Sequence, residues 1–195
     1  MSPDRLSFSM LFKLCCLSFI GIYLSTFNVK HVIAQMKTQS LDNGISNWQL
    51  VTDGVMGGVS KGTIGVTDLD NKTCIELSGS VSTDNNGGFI QMAYNIDASL
   101  AQSVKHLQGI QLEIRGNGED YNLHLRTKDL WFPWQAFRAT FQTNGDWQII
   151  NLPFSSFQAY KTSEDLNVEN LKRIGVVAIG REFDANICVA SIGFY

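Results

Sequence analysis

Residues 48–64 read WQLVTDGVMGGVSKGTI, and the rest of the chain is best read outward from this run. Four glycines fall in it, with Asp53-Gly54 followed closely by Gly57-Gly58. Glycine at that density asks for positive φ angles in tight turns, or for a second backbone lying too close for any Cβ. Inside a β-like pattern such glycines mark a bend, a bulge or a contact surface, and they exclude a helix. The expectation is therefore strand, bend and strand. Gly54, Gly57 and Gly58 would shape the bend, Trp48 and Met56 would pack around it, and Asp53 would accept hydrogen bonds from backbone amides of its own turn. A phosphate loop is excluded, because 57–62 lacks the G-x-x-x-x-G-K-[ST] order and has no strand-to-helix setting. Gly116-Asn117-Gly118 likewise lacks the third glycine and the following helix of a dinucleotide fingerprint.

Downstream, short apolar runs alternate with turn residues at 48–51, 63–66, 73–77, 89–94, 110–115, 121–127, 135–142, 147–152, 174–179 and 187–194. Strands at such spacing predict an all-β sandwich or barrel. Period-two alternation assigns faces: Tyr121, Leu123 and Leu125 point one way while Asn122, His124 and Arg126 point the other. Ala136, Arg138 and Thr140 interleave in the same way with Phe137, Ala139 and Phe141. The short turns at 116–118 and 144–146 predict that the four strands between 110 and 152 form a meander. Two segments break the pattern. Residues 97–107 begin with a capping Asp97 and space Leu100, Val104 and Leu107 helically, and 163–172 offers another turn of helix.

Composition narrows the function classes. With 195 residues, 17% of them charged, a formal net charge of −3 and no basic cluster, the chain lacks the electrostatic footprint of a nucleic-acid binder. The start differs from the rest. Arg5 and Lys13 precede an apolar run at 14–27, and Val32-Ile33-Ala34 stands before Gln35 as a small-residue cleavage site would. Residues 1–34 therefore read as a secretory signal peptide, or as an N-terminal membrane anchor if uncleaved. Residues 35–47 read as a linker and 48–195 as the domain. The expected location is exported, whether periplasmic, lumenal or secreted, and the uncleaved leader would contact the membrane.

Removal of the leader takes Cys15 and Cys16 with it and leaves Cys74 and Cys188, either as a disulfide of an exported domain or as two buried thiols. Neither has a Cys or His nearby in sequence, so no metal is expected. Catalysis has no clear author: Gly58-Val59-Ser60-Lys61-Gly62 has the G-x-S-x-G spacing but no strand-to-helix setting to make it a nucleophile elbow, and Glu113 with Asp129 or Asp120 matches no acid–base pattern. His124 reads either as a ligand contact beside Arg126 or, more often for such a residue, as a surface histidine of a sheet. The chain is therefore expected to be no enzyme and to need no cofactor. The more informative stretch is 130–135, LWFPWQ, between strands whose polar faces carry His124, Arg126 and Arg138. Its aromatics suit sugar stacking or a protein interface, and equally the closing of one end of the core.

The run Asp53-Gly54-Val55-Met56-Gly57-Gly58-Val59-Ser60 resembles the family of complex I intermediate-associated protein 30 (CIA30). Trp48, Gly87-Gly88-Phe89, Gly116-Asn117-Gly118 before Tyr121, Leu125-Arg126, Trp134-Gln135 and Leu152-Pro153-Phe154 with Phe157 fall in that family's order. The chain differs at Met92-Ala93-Tyr94, where an Arg is usual, and its leader points to export and not to the mitochondrial matrix. The resemblance implies a jelly-roll β-sandwich, like galactose-binding and carbohydrate-binding modules, with one or two short helices. It also implies a non-catalytic assembly factor or chaperone for a respiratory or other membrane protein complex. An exported carbohydrate-binding module is the alternative, so the expected partner is a protein, in a membrane complex or otherwise, or a glycan. The binding face is expected to carry Trp48, Asp53, Met56, Arg126, Trp131, Trp134 and Gln135, with Gly54, Gly57, Gly58, Gly87 and Gly88 structural.

Overall fold

The computed structural model describes residues 39–40 and 44–195. The expected leader, 1–34, and most of the expected linker lie outside the described residues. Twelve strands follow in order: β1 (Gln39–Ser40), β2 (Trp48–Thr52), β3 (Lys61–Leu69), β4 (Lys72–Val81), β5 (Phe89–Asn95), β6 (Gly109–Gly116), β7 (Asp120–Thr127), β8 (Ala136–Gln142), β9 (Gln148–Pro153), β10 (Gln158–Tyr160), β11 (Leu171–Ile179) and β12 (Phe183–Phe194). They form two six-stranded antiparallel sheets. One, the back sheet, runs β3-β4-β12-β6-β9 with β1 paired to β12; the other, the front sheet, runs β10-β8-β7-β11-β5-β2. This is the expected β-sandwich, in which each sheet buries one face against the other.

The alternation read from sequence maps onto the layers. Ile110, Leu112 and Ile114 of β6 and Ile187, Val189 and Ile192 of β12 face inward from the back sheet. They meet Ile90 and Met92 of β5, Tyr121, Leu123 and Leu125 of β7, Phe137 of β8, and Ile174 and Val176 of β11. Each fully buried side chain of this size contributes about 1.5–3 kcal/mol, so the core needs no further explanation for its stability. Asp70 and Asn71, both with left-handed φ, make the two-residue turn of the β3–β4 hairpin.

The expected meander is corrected. β6 and β9 pair directly in the back sheet, while β7 and β8 pair in the front sheet. The turns at 116–118 and 143–147 therefore carry the chain from one layer to the other. They cross side by side: Gly116 N–H donates to the Asn144 carbonyl at 3.3 Å, and the Thr143 hydroxyl donates to the Glu119 carbonyl at 2.9 Å. A Cβ on Gly116 would lie 2.4 Å from Thr143 Oγ1, which explains that glycine. Local alternation assigns a face to each strand but says nothing about which sheet the strand joins.

The helix α1 (Ala98–Val104) forms as read, with the Asp97 carboxylate accepting from Leu100 N–H at 2.8 Å and Ala101 and Val104 buried. The second expected helix is a single 3-10 turn, Val168–Asn170, because pairing with β7 takes the chain into β11 from Leu171 onward. Within the expected linker, Gln39–Ser40 pairs with Phe194 and Gly193 of β12.

Two links join distant parts of the chain. Tyr121 donates to Asn117 Oδ1 at 2.7 Å and accepts from Asn186 N–H at 2.9 Å, tying β7 of one layer to β12 of the other. Burial pushes its phenol pKa up to about 12. Cys74 and Cys188 form a disulfide between the neighbouring strands β4 and β12, with Cα atoms 5.6 Å apart and a sequence separation of 114. A bridge across so long a loop restricts the unfolded chain strongly. Reduction, or a Cys74→Ser, Cys188→Ser double variant, is expected to lower unfolding stability by about 2–5 kcal/mol in denaturant titration.

Candidate functional site

The 53–60 turn is built around one carboxylate. Asp53 is completely buried. Its Oδ1 accepts from Ser60 N–H at 3.0 Å, and its Oδ2 accepts from the Ser60 hydroxyl at 2.5 Å, Gly88 N–H at 2.6 Å and Phe89 N–H at 3.3 Å. Burial pushes this carboxyl up, but the Ser60 hydroxyl and the three amides outweigh it and hold the pKa below the usual carboxylate value. The Ser60 hydroxyl in turn accepts from Ser82 N–H at 2.9 Å, beyond the end of β4. Asp53 thus pins the start of β5, in the front sheet, to the approach to β3 and the exit of β4, in the back sheet.

Two glycines make room for it. A Cβ on Gly58 would lie 2.3 Å from Asp53 Cγ, and one on Gly87 would lie 2.4 Å from Asp53 Oδ2. The pinned backbone of Gly87, Gly88 and Phe89, together with Val55 and Met56, forms one wall of a groove of approximately 630 Å³ on the outward face of the front sheet.

Strand register explains the groove. Across the sheet, Gln49, Ala93, Gly175, His124, Arg138 and Gln158 lie in one row. Ala93 and Gly175 are the smallest members of that row, and the groove-lining Gln91 side chain occupies the space over Gly175. Asn95, Arg173 and Arg126 lie opposite one another in the next row. The far wall comes from Pro133, Trp134 and Gln135, with Tyr160 and Lys161 beside them.

The far wall is held by residues the sequence singled out. Arg126 donates through Nη1 to the Pro133 carbonyl and through Nη2 to the Phe132 carbonyl, both at 2.9 Å. Gln135 accepts from Phe132 N–H at 2.9 Å and donates to the Lys161 carbonyl at 3.1 Å. The loop so fixed stacks Phe132 on Trp134, with centroids 4.9 Å apart and planes within 6°. Arg138 lies flat on Tyr160, with Cζ 3.3 Å from the ring centroid. Nε of Arg126, Nε of Arg138 and Nε2 of His124 are buried and have no hydrogen-bond partner among the described residues.

Met56, Arg126, Trp134 and Gln135 therefore meet at one groove. The other expected contacts do not join them. Trp48 is 4% exposed and packs edge-on against Tyr94, so it belongs to the core. Asp53 holds the turn and touches no solvent. Trp131 is 91% exposed and stands outside the groove lining. Met56 is exposed and does not pack around the glycines. His124 is no surface histidine: it is 9% exposed, on a concave face where pointing outward does not mean facing water. Burial, reinforced by the Arg138 charge, lowers its pKa to about 3, so it is neutral at physiological pH. Phe89, Gln91, Tyr160, Lys161 and Arg173 were not singled out. The small residues Ala93 and Gly175 inside strongly apolar strands were the available signal.

Comparison with known proteins agrees with this architecture. The family described as Complex I intermediate-associated protein 30 (CIA30) matches residues 35–188. No curated protein matches the chain. Among solved structures, a family 11 carbohydrate-binding module from Clostridium thermocellum, in complex with a beta-1,3-1,4-mixed-linked tetrasaccharide, is 17% identical with a TM-score of 0.65, covering 80% of this chain and 94% of its own. The family 11 module of a cellulosomal cellulase from the same organism is 16% identical with a TM-score of 0.63, over 80% of this chain and 93% of its own. An exo-beta-agarase is 9% identical with a TM-score of 0.55, over 80% of this chain and 25% of its own. At such identities the likeness shows the fold alone.

Asp53→Ala leaves buried donors without an acceptor and is expected to cost at least about 3 kcal/mol in chemical denaturation. Gly58→Ala is expected to destabilise by the same route, by displacing that carboxylate. Acid should act through His124. Its folded pKa lies below the unfolded value of 6.5, so the stability present above pH 6.5 is lost as pH falls toward 3. Between pH 7 and pH 4.5 the expected loss is about 2–3 kcal/mol, and a His124→Gln variant should flatten that slope in thermal or urea unfolding.

Proposed function

The chain belongs to the CIA30 family, and from that premise we propose that it is a non-catalytic binding protein whose partner is held in the groove of the front sheet. The observation that carries this reading is the groove itself, a hollow of approximately 630 Å³ lined by His124, Arg126, Arg138, Arg173 and Trp134 among others. Within three of these lining residues, Nε of Arg126, Nε of Arg138 and Nε2 of His124 have no hydrogen-bond partner among the described residues, and unpaired buried polar atoms call for a reason. The lining offers ring faces, guanidinium groups and amides, which bind and orient more readily than they perform acid–base or nucleophilic chemistry.

On the family reading, the partner is a component of a membrane protein complex under assembly. Exposed Val55, Met56 and Trp134 on the two walls, with arginines between them, have the composition of a protein-binding hot spot. An exported location with residues 1–34 as leader or anchor is part of the same proposal, and the Cys74–Cys188 disulfide supports it, since such bridges persist in oxidising compartments.

A glycan is the second reading, favoured by one specific observation: the groove crosses the open face of a sheet in a sandwich of carbohydrate-binding-module type and is walled by the Phe132–Trp134 stack. A Trp134→Ala, Arg138→Ala double variant is expected to keep the native melting temperature while losing partner capture from native membranes, or glycan-array signal, by about tenfold or more. Unchanged binding by the folded variant would remove the groove from consideration. A reproducible sugar hit separates the second reading from the first, which instead expects a co-purifying membrane complex.

A further inference from the structure

Resting on the second reading, a glycan held in the groove, we infer that this ligand is an acidic oligosaccharide, a chain of sugar rings bearing carboxylates. The charge of the lining is one-sided. Arg126, Arg138, Lys161 and Arg173 line the groove, and its lining contains no Asp or Glu. An adjoining hollow of approximately 250 Å³ adds Lys172 and Asn95 to Arg126 and Arg173.

This segregation occurs in a chain whose formal net charge is −3. The ion pairs among the described residues form elsewhere, as Lys72–Glu113, Lys105–Glu169, Arg115–Asp70 and Arg181–Glu119. Among the described residues, Asp129 is a carboxylate acting on this cluster, through Lys172. It lies toward Lys172, accepts a hydrogen bond from Asn170, and is absent from the lining of either hollow. Arg126 and Lys172 are each pushed down by burial and then by neighbouring positive charge, so the cluster repels itself and an incoming anion relieves it.

Geometry selects a sugar over a peptide. The floor crosses interior strands, whose backbone groups are committed to the sheet, so an extended peptide finds no edge to pair with there. What the floor presents is side chains: the Gln91 amide, the His124 ring and the Arg138 guanidinium. Arg138, which lies over the Tyr160 ring, lines the groove and offers a planar guanidinium suited to two-point contact with a carboxylate. Trp134, stacked on Phe132 and lining the groove, supplies an apolar ring for a sugar to pack against, with the Gln135 amide beside it.

The test is calorimetry on the full chain with oligogalacturonate and with a neutral cello-oligosaccharide of equal length, at about 50 mM and about 300 mM salt. The uronate is expected to bind about tenfold or more tightly than the neutral chain, with affinity falling as salt rises. Arg138→Ala is expected to remove that preference, with Arg138→Lys restoring it only in part. Gly175→Val, which displaces the groove-lining Gln91 side chain from the space it occupies while keeping every charge, is expected to block uronate binding in a protein of unchanged circular dichroism. Equal, salt-independent binding of both sugars, blocked by Gly175→Val, would overturn the acidic ligand and leave the groove standing. A poly-glutamate peptide that displaces uronate, or binds where uronate does not, would overturn the sugar class. Absence of binding by every probe overturns the inference, and uronate binding that ignores Gly175→Val overturns the groove with it.

Discussion

A single buried carboxylate sets the geometry on which the binding face depends. Asp53 stands where the chain leaves one sheet for the other, and its two oxygens collect donors from the approach to β3 and the start of β5. An ionised carboxylate in such a place is costly to desolvate, and it persists because donors meet both oxygens, Ser60 N–H on Oδ1 and the Ser60 hydroxyl with two amides on Oδ2. The same constraint accounts for the glycines. Backbone must come within contact distance of the carboxylate at residues 58 and 87, and any side chain there would occupy the space of the carboxylate itself. The family run D-G-V-M-G-G-x-S is thus a packing solution, and its influence on binding is indirect: it fixes the wall formed by Gly88 and Phe89.

The groove arises from a different cause. The small Ala93 and Gly175 let the Gln91 side chain lie across the middle of the front sheet, while Arg138 and Tyr160 stand at one side. Arg126 shows how one side chain shapes a site without spending all its charge. Its hydrogen bonds hold the carbonyls of the aromatic loop, while its positive charge still acts on the groove. Arg126 and Gln135 are positioning residues for the wall, whereas Arg138, His124 and Gln91 face the hollow.

Much of the fold was legible in the sequence because it rests on local periodicity. Alternation located the main strands and their inward faces, and the Asp97 cap located the helix. The sheet assignment was not legible: the turns at 116–118 and 143–147 have the composition of hairpin turns, and only packing of distant strands turns them into crossings. The site was legible in part for the same reason. Outward direction for His124, Arg126 and Arg138 follows from period two, but burial of an outward residue depends on the curvature of the whole sheet. Trp48 and Asp53 were misplaced because a glycine-rich run with an aromatic and an acid looks alike whether it contacts a ligand or anchors a turn. Tyr160, on a three-residue edge strand, carried no periodic signal at all.

The order of strands has a consequence for how this protein comes into being. β12 lies at the centre of its sheet, between β4 and β6, yet among the described residues it is the last strand in sequence. Until it docks, that sheet is two separate fragments, the β3–β4 hairpin and the β6–β9 pair, and Cys74 and Cys188 stay apart. The back sheet therefore closes only through contacts remote in sequence, and before they form each fragment presents unpaired strand edges, the state most exposed to premature association.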